Sequence, residues 1–296
     1  MIDYRKTGAS GKEANTGRRR PLRRRERCVY TADSGRTMFL FGIKKAFFDL
    51  WDNLLTVALL NIGFVALIAL TLSLTNLFAA VDQFLGAILI PVFVILVTVG
   101  YAGGVSFACR DMVDYDNPEF RQVLKYFREA LPASLMLAGL YIAQFFITSI
   151  AVPFYAQIEN IWGLAALVFL FWASVVWLLA SQFFLPVRTR LNSQFKPILK
   201  KCFLVFFDNT GFSVFTAIGV LLLTAVSFPL ALLIPGPAGV MLWLQSNFKI
   251  RLLKYDYLEQ NPEADRRKIP WDSLLIDEQQ KIGKRTLRGM IFPWKE

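Results

Sequence analysis

The sequence predicts an all-α, polytopic membrane helical bundle of six spans. The spans fall in three repeated units, each a cytoplasmic amphipathic helix followed by a helical hairpin. Three observations carry this reading. Of the 296 residues, 55% are hydrophobic and 19% charged, too few charges for a soluble domain of that length. The apolar residues gather in runs of roughly 20, the length that crosses a bilayer. The segment Lys44–Gly63 (KKAFFDLWDNLLTVALLNIG) returns 156 residues later as Lys200–Gly219 (KKCFLVFFDNTGFSVFTAIG). In that register Lys44, Lys45, Phe47, Asp52, Asn53, Ile62 and Gly63 match Lys200, Lys201, Phe203, Asp208, Asn209, Ile218 and Gly219.

Residues 1–37 read as a disordered basic cytoplasmic arm holding RRRPLRRRER at Arg18–Arg27. Such an arm also fits contact with anionic lipid or RNA, or a translated region upstream of a start at Met38. The membrane domain is expected over 38–257. Its first amphipathic helix carries Phe47, Leu50, Trp51, Leu54 and Leu55 on one face, and it can lie among headgroups with its lysines in water. Spans follow at about 54–79 and 84–108, joined by a turn at Asp82–Gln83. Pro91 should kink the second span or sit near its start, while Gly100, Gly103 and Gly104 allow close helix contact near its end.

The connector after Arg110 holds Asp111, Asp114 and Asp116, read as solvated. It leads to a stripe of Phe120, Val123, Leu124, Phe127 and Leu131 and to spans at about 132–152 and 161–185. The third amphipathic helix sets Phe195, Ile198, Leu199, Cys202, Phe203 and Phe206 against Lys196, Lys200 and Lys201. A fifth span is expected at about 211–233, then the turn Pro235-Gly236-Pro237. The sixth holds the short apolar run 238–244 and must borrow Ser246, Asn247 and Phe248, or start within the turn Ile234–Pro237. Residues 258–296 form a cytoplasmic tail, where Asp272 would cap a short helix with Leu275, Ile276 and Ile282 on one face. Trp271 and Trp294 fit headgroup contact or packing within the tail.

Charge sets the orientation. All 33 Lys and Arg fall in four stretches: up to Lys45, Arg110–Arg128, Arg188–Lys201, and from Lys249 on. The opposite turns hold only Asp82 and Glu159. By the positive-inside rule both termini and both long connectors of this multi-pass protein are expected to be cytoplasmic. The net charge of +11 is then a property of topology, and no specific nucleic-acid partner is expected.

The chain has no histidine, which excludes histidine-dependent triads, zinc-peptidase sites and haem–histidine sites. Cys28, Cys109 and Cys202 read as independent thiols. There is no P-loop, GxSxG or HExxH, so no enzyme, cofactor or metal site is expected. No Asp, Glu, Lys or Arg stands mid-span, where ion-coupled carriers usually place one. Asn61, Gln144 and Gln182 remain as candidate polar lining, or as interhelical hydrogen-bond partners. The repeat junction residues Asp52, Asn53, Asp208 and Asn209 read as caps at the start of a span or, alternatively, as a symmetric ligand site.

The stretches TVGYAGGVSFACRDMVDYDNPEF and RQVLKYFREALPASLMLAGL resemble the YesL-like family, bacterial six-span membrane proteins of unknown function. The likeness lies in Gly100, Arg110, the acidic connector Asp114–Glu119, the aromatic-basic helix Phe120–Arg128 and the following span. The family usually has Pro after the glycine, where this chain has Tyr101. The resemblance implies a protein of the cell (inner) membrane, encoded near sugar-uptake systems, and carries no catalytic residues. The function expected is a non-enzymatic accessory or regulatory component, linked to carbohydrate uptake and partnered by the lipid bilayer and membrane transport subunits. The alternative is a carrier or channel for a small uncharged solute.

Overall fold

A computed structural model describes residues 34–81, 83–191, 194–266, 268–283 and 285. Most of the arm, with Cys28, Asp82 and Trp294, lies outside them. The described chain forms α1 (Ser34–Asp52), α2 (Leu54–Val81), α3 (Gln83–Val113), α4 (Phe120–Ala156), α5 (Ile161–Ser181) and α6 (Phe184–Leu191). These are followed by α7 (Phe195–Asp208), α8 (Thr210–Ser227), α9 (Gly236–Gln260), α10 (Trp271–Leu274) and α11 (Ile276–Ile282). Among the described residues there is no strand. In lipid each backbone N–H and C=O must be satisfied within the protein, and helices do this along the apolar runs. Five stretches are long and apolar enough to cross a membrane: Leu54–Leu77, Ile88–Val113, Arg121–Ala156, Ile161–Leu191 and Thr210–Ser227. The protein is an integral, multi-pass membrane protein.

The sixth expected span is not among the five. Its residues belong to α9, which packs against α1, α2, α3 and α8. A helix enclosed by other helices need not be apolar on every side. Gln245, Ser246, Asn247, Arg251 and Lys254 are all buried on α9. The fifth span also ends early, since α8 stops at Ser227 and the chain turns through residues 228–235. That turn is held by α2. Asn61 Nδ2 donates to Leu233 O (2.9 Å) and Pro235 O (2.7 Å), and its Oδ1 accepts from Ala238 N (2.7 Å). Gly236, at φ 60°, passes so close to Asn61 that a Cβ there would collide with its amide.

α1 corrects a second expectation. Its lysines do not all stand in water: Lys45 is fully buried and Asp49 nearly so, while Trp51 and Leu55 of the apolar face are exposed. A helix at a lipid-facing position turns its charges toward the protein. The acidic connector is corrected likewise, because Asp111 and Asp114 are ion-paired with Arg110, Arg190 and Lys249. In the tail, Trp271, Leu275 and Ile282 join the main core, whereas Ile276 is exposed. Asp272 lies inside α10 and caps nothing, the capping positions of α10 and α11 being Pro270 and Leu275.

Two of the hairpins close in the same way. A Cβ on Gly63 would strike the Tyr101 ring of α3, and Tyr101 OH donates to Leu60 O (2.9 Å). A Cβ on Gly219 would strike the Trp243 ring of α9, and Trp243 Nε1 donates to Thr216 O (3.0 Å). Gly103 and Gly104 do seat α4, against Ser134 and Phe127.

Candidate functional site

The buried charge is concentrated where α1, the end of α3, α9 and the tail meet. Lys45 and Asp49 stand one turn apart on α1, 3.2 Å from each other. Lys45 Nζ also lies 3.2 Å from Glu278 of α11 and donates to Val113 O (3.3 Å) and Tyr115 OH (3.0 Å). Lys249 of α9 pairs with Asp114 and Glu278, each at 3.0 Å. Arg190 of α6 reaches both oxygens of Asp114 (3.0 and 3.2 Å) and donates through Nε to Gln245 Oε1 (3.1 Å). Gln245 in turn donates to Ser106 Oγ (2.8 Å) and Thr189 Oγ1 (2.7 Å). α1, the end of α3, α6, α9 and α11 are thereby joined through one polar node.

Tyr115 is its hub. Its backbone takes φ 67°, a conformation bulky residues rarely adopt. Three ammonium groups approach its ring face: Lys45 at 4.4 Å, Lys249 at 5.3 Å and Lys281 at 5.4 Å, attracted by the ring quadrupole. The carboxylates respond to two opposed effects. Burial pushes Asp49 up to about 6, and Lys45 only partly offsets it. Burial also works to raise Asp114 and Glu278, but there the cations win. Arg190 and Lys249 hold Asp114 below the ordinary carboxylate range, and Lys45 and Lys249 do the same for Glu278.

A second node forms at the junction of α7 and α8. Lys254 Nζ donates to Asp208 Oδ2 and Asn209 Oδ1, both at 2.9 Å. Arg251 Nη2 donates to the same Asn209 oxygen, and Arg251 stacks over Phe212 at 4.8 Å. Asn209 Nδ2 donates to Tyr255 OH (2.8 Å). The spacing of Arg251, Lys254 and Tyr255 on α9 sets all three toward α8. Burial pulls Arg251 down to about 10, while Lys254 and two side-chain donors outweigh burial at Asp208 and lower it.

The junction residues thus do not act as a matched pair of caps. Asn209 takes the capping position of α8 without a side-chain cap bond. Asn53 turns back to donate to Asp49 O (2.9 Å). Asp52 is exposed and, among the described residues, pairs with Arg285 (2.7 Å). Nor does the structure gather Asn61, Gln144 and Gln182 into one lining. Asn61 is committed to the α8–α9 turn, and Gln144 donates to Ser174 Oγ across α4 and α5 (2.8 Å). Gln182 donates to Leu179 O and Ser213 O, each at 2.9 Å, and borders a cavity of about 680 Å³.

Lys45, Asp49, Tyr115, Lys249, Arg251, Lys254 and Glu278 were absent from the sequence-based candidates. Their one signal was Lys45 and Asp49 at i, i+4 on the face opposite an apolar stripe. That face reads as turned to water because a basic amphipathic helix can lie among headgroups with its lysines solvated. No family model, curated protein or solved structure matches the chain.

Proposed function

We propose that the protein is a non-enzymatic accessory or regulatory component of the cell (inner) membrane, with both termini cytoplasmic, serving a membrane transport system. The observation that carries this reading is the closure of the basic end by Lys45, Asp114, Arg190, Lys249 and Glu278. Their ion pairs tie α1, α6, α9 and α11 together where a carrier needs an opening. Asn61 and Gln144, which a solute path would use, are bound within the protein. Beside the seal, α1 and α11 leave a groove of about 1140 Å³ bordered by Arg36, Leu40, Lys44, Ile276 and Gln279, where a partner subunit could rest. The link to carbohydrate uptake rests on the YesL-like resemblance.

Purified protein in proteoliposomes is expected to pass no labelled sugar or polyol. Measured flux overturns the accessory reading in favour of a carrier for a small uncharged solute. That second reading draws its support from the cavity beside Gln182. Crosslinking in native membranes should recover a transport subunit, and the groove variant L40E/I276E should lose it.

A further inference from the structure

The helices do not fill the membrane region evenly. The α8–α9 hairpin turns back where it meets Asn61. α2 runs on from Asn61 to Val81, roughly 30 Å of further helix at about 1.5 Å per residue. α3 accompanies it, and Tyr141–Ser181 and Gln144–Ser174 tie α4 to α5. The third hairpin is therefore shorter than the first.

Beside this hairpin lies a cavity of about 680 Å³, within the roughly 300–1,000 Å³ range of ligand pockets. Its wall is built from Phe64 and Leu67 of α2, Val99 of α3, Leu137 of α4, Leu179 of α5 and Val240 of α9. Among the described residues that line it there is no Asp, Glu, Lys or Arg.

Of the polar side chains facing the cavity, Thr98 makes no side-chain hydrogen bond among the described residues, and the others have their donors committed elsewhere. Thr71 donates to Leu67 O (2.8 Å), Tyr141 to Ser181 Oγ (3.0 Å), Ser181 to Leu178 O (3.2 Å), and the Gln182 amide to two carbonyls. Water needs two to four polar partners to settle in such a site. A sugar or polyol would have to give up its hydration for a wall that offers few. Ile68, Leu178 and Leu221, from α2, α5 and α8, border the cavity and are exposed. The opening therefore faces sideways, between helices apolar enough to stand in lipid.

We propose that this cavity holds an acyl chain of a bilayer phospholipid. The chain enters laterally between α5 and α8 and fills the volume beside the short third hairpin. An acyl chain needs no hydrogen bond, fits an apolar wall, and is present at high concentration at the opening. The proposal does not rest on the accessory reading, and flux results leave it to its own test.

The test reconstitutes the full chain in vesicles with phosphatidylcholine carrying a diazirine on its acyl chain, irradiates, and maps the labelled peptides. Ala102, Leu137 and Leu244 border the cavity and are each under a tenth exposed, so annular lipid does not reach them. Labelling of these three, besides outward residues such as Ile161, is the expected result. Labelling confined to outward residues overturns the proposal. The variant A217F, which narrows the α8 wall, should lose the inner labels and keep the outer ones. Inner labels unchanged by A217F also overturn it.

Should A217F fail to fold, V99C in a C28S background gives a separate reading, since Cys109 and Cys202 are buried. Reaction with an apolar maleimide alone supports the acyl chain. Reaction with a membrane-impermeant sulfonated thiol reagent shows a water-filled cavity and overturns it.

Discussion

Gly63 and Gly219 hold the same register position and are used alike. Each receives an aromatic ring from the returning helix of its hairpin, and each ring donates to the carbonyl three residues earlier, Leu60 or Thr216. Asn53 and Asn209 also share a register position and are used differently. Asn209 is buried and accepts from Arg251 and Lys254, while Asn53 makes one bond to its own helix. The contrast separates two kinds of position. The glycine contact needs only the two helices of one hairpin, and it recurs in the α2–α3 and α8–α9 hairpins. The junction takes its role from what passes beside it, and α9 passes beside Asn209. One turn earlier, Asp49 of α1 corresponds to Val205 of α7, so the charge turned inward in one unit is replaced by an apolar side chain in the other.

The largest effect should come from the substitution that tests the unlike pair. N209A leaves two buried cations without their shared acceptor, at a cost of about 3 kcal/mol. N53A removes one hydrogen bond, worth about 1 kcal/mol. Thermal unfolding in detergent measures both. Equal losses would mean that the helix break itself governs both junctions, and the distinction drawn here would fall. The like pair is tested next. G63A and G219A each force an aromatic ring to move, costing about 2 kcal/mol. Markedly unequal losses would show that the two hairpins are closed by different forces.

The element order was legible because periodicity and run length are local properties. Helical segments from α1 to α9 other than α6 appear near their expected places, α6 lying where a polar connector was expected, and the junctions do break at Asn53 and Asn209. What was not legible depends on neighbours. Nothing local tells that Lys45 faces protein and Lys44 does not, or that Tyr115 gathers three lysines. Nor does it tell that Glu278, more than 200 positions from Lys45, closes the node. The short third hairpin was half visible in the brief run 238–244. Its cause, the hold of Asn61 on the turn, needed the fold.

The Asp49–Val205 difference carries a pH dependence. Folding raises the Asp49 pKa from about 4 to about 6. Between those values the folded state binds more protons than the unfolded one, so the wild type loses stability as pH rises through that window. D49N escapes that loss. It should exceed the wild type by about 2 kcal/mol at pH 8 and by little near pH 4. Asp114 and Glu278 act with the opposite sign. Their folded pKa values are lowered, so their contribution is present above the ordinary carboxylate range and lost as pH falls through the lowered values. Both occur in wild type and variant and cancel in the difference. A D49N advantage that does not change with pH would show Asp49 ionised throughout, with Lys45 outweighing burial.

The smallest effect belongs to Asp52. Its partner Arg285 and Asp52 itself are each about half exposed, at 53% and 45%, where ion pairs contribute roughly 0–1 kcal/mol and salt screens them. D52A should therefore shift unfolding hardly at all, and less still at high salt. The tail is held instead by Leu275 and Ile282 in the core and by Glu278 between two lysines. If D52A released the tail, seen as faster proteolysis after Lys268, the surface pair would be the attachment and the buried contacts secondary. The first junction would then have a role of its own, as specific as that of Asn209.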